Sequence, residues 1–182
     1  MTDSHISTLQ PGRYEADPVH SQVSFEVKHL GIAPFRASFG EIKASLDVRE
    51  NGLTFHGTVP VQSIAITQPD FRAHLLSPEF FDADNYPSIV FASTSLSRTA
   101  DGAAVLEGEI EIRGQRRLIR AEGVIADPMT GMGDTPVVAA HFEAVLDRND
   151  FGLGWNMDLP GGRKVVGDEV RLIVSLELVA AR

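Results

Sequence analysis

At 182 residues, 43% hydrophobic and 23% charged, the chain has the size and balance of one folded domain, outside the disordered and membrane-helix classes. Its 25 Asp and Glu against 16 Lys and Arg, a formal net charge of -9, oppose nonspecific binding to nucleic-acid phosphates or anionic lipid surfaces. The absence of cysteine removes disulfides, thiolate nucleophiles, Cys-type zinc sites and iron–sulfur clusters together.

The start, MTDSHISTLQPGRYEAD, offers neither the basic flank nor the apolar segment of a secretory signal, so a cytoplasmic location is expected. Residues 1–13 are expected to be a flexible lead-in to a single domain over 14–182. No apolar run approaches the roughly 18 residues of a transmembrane helix.

The first strand signal is VSFEVKH, where Val23, Phe25, Val27 and His29 alternate with Ser24, Glu26 and Lys28. The alternation repeats through Phe35, Ala37 and Phe39 and again through Ile42, Ala44, Leu46 and Val48, with one slip at Gly40 and Glu41 that predicts a bulge or sharp bend. Asn51-Gly52 predicts a tight hairpin into LTFHGTV, and a shorter strand is expected over residues 63–66. After a non-β excursion the pattern resumes at SIVFASTSL. It continues through AVLEGEIEIR, through residues 118–126, through VVAAHFEAVLDR and, after a Gly-rich loop, through the closing EVRLIVSLELV. Arg113, Arg116, Arg117 and Arg120 cluster near Gly114, either as an anion site or as a solvated hairpin turn.

About eight strands, mostly joined by hairpins and without a βαβ pattern, predict an all-β fold closed into an antiparallel barrel. Small residues at inner-face positions Ala37, Ala44, Gly57, Gly108, Ala140 and Ala144 predict unfilled volume inside it.

The excursion, FRAHLLSPEFFDADNYP, carries four of the thirteen aromatic residues. Pro69-Asp70 and Ser77-Pro78 each predict a helix start, giving a short helical insertion over about residues 69–82. Its apolar face must be buried against the open end of the barrel, as a lid over a ligand mouth or as a plug sealing a filled core. Two other functions compete. Asp17, His20 and Ser21 contain the residue types of a hydrolase or isomerase site, but neighbours on a strand point to opposite faces and no G-x-S-x-G elbow is present. A ligand-free structural or partner-binding β-domain would use the same barrel with a collapsed interior. The six histidines form no H-x-H or H-x-x-x-H pattern, so no metal and no cofactor are expected.

The stretches DPVHSQVSFEVKHLGIAPFRASFGE, SIAITQPDFRAHLLSPEFFDADNYPSIVFAS, LEGEIEIRG, DRNDFGLGWN and VVGDEVRLIVSLELV, in this order, resemble the YceI family of lipid-binding proteins. The resemblance spans roughly residues 14–179. It implies an eight-stranded lipocalin-like barrel with the excursion as its lid and a pore holding a polyisoprenoid or similar long-chain amphiphile, often as a homodimer, with binding, transport or sequestration rather than catalysis. Members usually carry an acidic residue between Arg72 and His74 and a basic residue after Leu75; here Ala73 and Leu76 stand there, so contacts made by those side chains elsewhere are not expected. On this reading Phe25, Val27, Phe39, Phe55, Phe91, Ile110 and Phe142 line the pore from the strands, and Phe71, Leu75, Phe80 and Phe81 from the lid. Polar candidates for the mouth are His20, Arg72, His74, Asn85 and Asp150.

Overall fold

The computed structural model describes residues 9–181. Strands β1 (Gly12–Ala16) and β2 (Gln22–His29) are two halves of one run bent at residues 17–21, and β3 (Ala33–Phe39) and β4 (Lys43–Arg49) are halves of a second run bent at residues 40–42. The two runs form a single long hairpin, with Tyr14 opposite Leu46 near its base and Val27 opposite Phe35 near its tip. The second bend falls where the alternation slips at Gly40, whose amide donates to the Ser63 carbonyl at 2.7 Å.

Strands β5 (Gly52–Pro60), β6 (Ser88–Arg98), β7 (Ala103–Ile112) and β8 (Gln115–Ile125) follow, each pairing antiparallel with the one before. The pair β9 (Met129–Thr130) and β10 (Pro136–Asp147) comes next, then a two-residue hairpin of β11 (Asp158–Leu159) and β12 (Arg163–Lys164). Strand β13 (Val166–Ala180) closes the ring, pairing with β10 along one edge and with β1 and β2 in succession along the other. With each bent run counted once, this is a closed eight-stranded antiparallel β-barrel with one helix.

Three local expectations differ from what the chain does. The strand expected over 63–66 is a 3-10 turn, Val61–Ser63, and a single bridge from Ile64 to Phe39, because Ser63 Oγ donates to the Pro60 carbonyl at 2.7 Å and folds the backbone back. The excursion contains one helix, α1 (Pro69–Leu76), capped by the Gln68 side chain accepting from the Phe71 amide. No second helix starts at Ser77: its hydroxyl donates back to the His74 carbonyl at 2.7 Å, and the chain continues in turns through Asp82, whose φ is 51°. Of the lead-in, residues 1–8 lie outside the described residues, whereas Leu9 is buried in the core and Gly12 opens β1.

One half of the barrel is solid. Tyr14, Leu46, Ile125, Val138 and Leu178 are almost wholly buried there, around Leu9 and Leu53. The other half is organised differently, around α1 and the loop after β10. Among the described residues no helix is long and apolar enough to cross a membrane.

Candidate functional site

The less filled half holds a cavity of about 690 Å³. That volume lies within the roughly 300–1,000 Å³ of sites that take small-molecule ligands. Strand alternation aims Phe25, Val27, Phe39, Phe55, Phe91, Ile110 and Phe142 into it, and the excursion adds Phe71, His74, Leu75, Phe80 and Phe81 from above. The floor is Phe55, Leu106, Ala121, Phe142 and Ala144, which also belong to the packed half. Space survives in the wall because Ala44, Gly57, Ala121 and Ala144 line it; a Cβ on Gly57 would meet only the Phe55 ring, at 3.9 Å. Gly108 behaves otherwise than expected. A Cβ there would lie 2.5 Å from the Phe91 ring and 2.4 Å from the Ala92 carbonyl oxygen, so its missing side chain is replaced by an aromatic ring rather than by empty volume. Ala37 and Ala140 are buried without lining the cavity.

The aromatic residues of the excursion complete a ladder of rings. Phe71 meets Phe35 edge-on at 5.5 Å, Phe35 meets Phe25 at 6.2 Å, Phe25 meets Phe39 at 6.0 Å and Phe39 meets Phe81 at 6.3 Å. A second group sets His74 edge-on against Phe80 at 5.1 Å and Trp155 at 4.8 Å. The exposed members of the lining are Lys28, His29, Ala33 and Pro34 at the tip of the β2–β3 hairpin, with Phe71 opposite at 38% exposure. The cavity therefore reaches solvent between that hairpin and α1.

The rest of the roof comes from the segment after β10, where Phe151, Leu153 and Trp155 point inward. Arg148 holds it in place. Its buried guanidinium donates to the carbonyls of Gly167 at 2.8 Å, Trp155 at 2.9 Å and Leu153, and faces Val166 O at 3.4 Å and Asp168 at 3.3 Å. Five N–H groups in a planar fork meet five acceptors, which is why the position calls for Arg. Burial lowers its pKa, against the favourable charges of Asp168 and Asp147. Asp168 is held below the usual carboxylate range first by a hydrogen bond from Asn149, with Lys164 and Arg148 adding to it. Sequence reading missed this element. The available signal is the spacing Phe151, Leu153, Trp155, an alternation inside a Gly-rich segment.

Four polar candidates lie away from the cavity. Arg72 donates to the Gln62 carbonyl and ties α1 to the preceding 3-10 turn. Asn85 donates to both oxygens of Asp82, at 3.0 and 3.1 Å. Asp150 is exposed beside the buried Phe151. His20 sits at the β1–β2 bend, its Nδ1 at 2.7 Å from Asp17 and 3.8 Å from Glu177. The hydrogen bond between them raises the His20 pKa and lowers that of Asp17. Ser21 does not join them: its Oγ donates to the Glu177 carbonyl at 3.3 Å and accepts from the Glu177 amide at 3.2 Å. The arginine cluster is dispersed as well. Arg113 donates to the Gly152 and Pro78 carbonyls, while Arg116 and Arg120 pair with Glu111, Glu107 and Glu122.

Residues 14–178 match the YceI-like domain family. The chain belongs to that family. A UPF0312 protein of Staphylococcus epidermidis is 24% identical over 172 residues, 91% of this chain and 96% of that protein. A Staphylococcus aureus UPF0312 protein is 26% identical over 168 residues, 88% and 94% of the two chains. Among solved structures, BcnA of Burkholderia cenocepacia superposes with a TM-score of 0.75 at 19% identity, covering 91% of this chain and 99% of its own. A polyisoprenoid-binding domain from Saccharophagus degradans superposes at 0.70 with 10% identity, covering 92% and 98%. In this YceI-like chain the two departures on α1 are an exposed Ala73 and a half-buried Leu76 that packs in the cluster around Phe39 and Phe80. Leu76 thus adds apolar contact beside the roof, in keeping with the expectation that this position makes no charged contact.

Proposed function

We propose that this YceI-like barrel binds one amphiphile with a long hydrocarbon tail, a polyisoprenoid or a chain of similar girth, and carries or sequesters it. The observation that carries the reading is the cavity: about 690 Å³, walled almost wholly by aliphatic and aromatic side chains, and open between the β2–β3 hairpin and α1. At about 30 Å³ for each water-sized group, it accommodates on the order of twenty non-hydrogen atoms. Burial of a methylene contributes about 0.8 kcal/mol, so ten buried carbons supply about 8 kcal/mol before association costs of several kcal/mol. The structural likeness to a polyisoprenoid-binding domain supports the same reading.

The reading is one of binding without turnover. The Ser21 hydroxyl is engaged by the Glu177 backbone instead of by His20. Gentle purification followed by organic extraction and mass spectrometry tests the proposal. One mole of long-chain lipid per mole of protein is the expected result; an empty protein that also fails to take up added long-chain lipid would refute it.

A further inference from the structure

The few polar side chains on the cavity surface share one character. Lys28, His29, His74, Arg148 and Trp155 line it, while among the described residues no Asp, Glu, Asn, Gln, Ser, Thr or Tyr does. Lys, Arg and Trp are donors only, and His offers one donor when neutral and two when protonated. The selection runs against the chain's own composition, in which 25 carboxylates outnumber 16 Lys and Arg. Position sharpens the pattern: Lys28 and His29 are exposed at the opening, and His74 is half-buried in the roof. Glu79 faces His74 Nδ1 at 3.3 Å, and Nε2 has no hydrogen-bond partner among the described residues. Arg148 commits its donors to the roof, so it adds fixed positive charge to the wall; its partner Asp168 does not line the cavity. A tail filling the apolar interior leaves its polar end at the opening, where it meets Lys28 and His29, while Glu79 engages His74 Nδ1 from outside the lining.

We propose that the headgroup this site selects is an anionic oxyacid, a carboxylate or a phosphate, received at the opening by Lys28 and His29 with His74 above. The inference rests on the cavity being the lipid site. Charge-assisted hydrogen bonds to an oxyanion are the strong ones, and a neutral alcohol or ester forfeits the charge. The overall negative charge of the chain does not oppose this, because exposed charges beyond about 8–10 Å are screened at physiological salt.

Four probes with the same hexadecyl tail separate the possibilities: hexadecanoate, hexadecyl phosphate, hexadecanol and methyl hexadecanoate, each competed against a fluorescent long-chain probe at neutral pH. The anions are expected to bind at least about tenfold tighter than the alcohol and ester, the factor that about 1.4 kcal/mol of charge-assisted bonding supplies. In the double variant Lys28→Ala, His29→Ala the anions should lose more affinity than hexadecanol, so that the advantage falls to less than about threefold. A preference between hexadecanoate and hexadecyl phosphate assigns the head as carboxylate or phosphate. Hexadecanol binding as tightly as the anions, or an undiminished advantage in the double variant, overturns the headgroup assignment and leaves tail binding standing. Failure of all four to bind overturns both.

Discussion

Gly57 gives the sharpest test of the cavity. It lies in β5 on the inner face, with open space where a side chain would begin. Leucine there adds four carbons to the void. At about 0.8 kcal/mol per buried carbon the gain is about 3 kcal/mol, of which about 1 kcal/mol is lost to side-chain ordering. The ligand-free Gly57→Leu protein should therefore be about 2 kcal/mol more stable, a rise in Tm of about 4–8 °C for a chain of this size. The same carbons displace an equal length of tail, so affinity for a cavity-filling probe should fall by about 3 kcal/mol, roughly a hundredfold. Gly108→Ala is the internal contrast. Its Cβ would sit 2.4 Å from a backbone oxygen, and overpacking of that kind costs about 1–3 kcal/mol. Differential scanning calorimetry and displacement of a fluorescent long-chain probe read both quantities. Parental binding in a stabilised Gly57→Leu protein would show that the tail lies elsewhere, and stabilisation by Gly108→Ala would invalidate the packing argument itself.

Arg148→Ala should cost about 3 kcal/mol or more, because it strands buried carbonyls that the guanidinium now satisfies; Arg148→Lys should not rescue it, and amide exchange over residues 149–165 should rise in both. Phe71→Ala removes the edge contact with Phe35 at the opening, so dissociation of bound lipid should accelerate up to about tenfold, with a stability loss of about 0.5–1.5 kcal/mol; an unchanged dissociation rate would place the exit elsewhere. His20 stabilises the fold fully below its ordinary 6.5 and loses the effect as pH rises through its raised pKa, whereas Asp17 contributes above its ordinary 3.8 and loses it as pH falls through its lowered one. The Tm penalty of His20→Ala should be small and greatest between those two values, and a pH-independent penalty would contradict the pairing.

The barrel was legible because alternation is a direct print of the pleat: the inward phase that places Ile110 carries Leu106 and Ile112 with it, and all three are buried. That β1 and β2 make one bent strand was not legible, since the bend at residues 17–21 is held by partners distant in sequence, such as the Asp17 amide on the Glu177 carbonyl at 2.8 Å. Side-chain hydroxyls caused the local misreadings. Ser63 and Ser77 bond back to nearby carbonyls and stop a strand and a helix that propensity would extend. The apolar strand candidates face the cavity together, because inward orientation is a property of a whole strand face. Of the polar candidates only His74 lines the cavity; His20, Arg72, Asn85 and Asp150 lie elsewhere, because residue type does not fix where a polar side chain points. Arg148 lies within the DRNDFGLGWN stretch, yet its role exists only once five backbone and side-chain acceptors have been folded around it.

The claim on which everything depends is that the apolar half-barrel takes up a tail. A calorimetric titration with a homologous series of fatty acids measures it most directly. Each added methylene should tighten binding by up to about fourfold until roughly twenty non-hydrogen atoms fill the cavity, after which affinity should level off. Affinity independent of chain length across the series would contradict the claim.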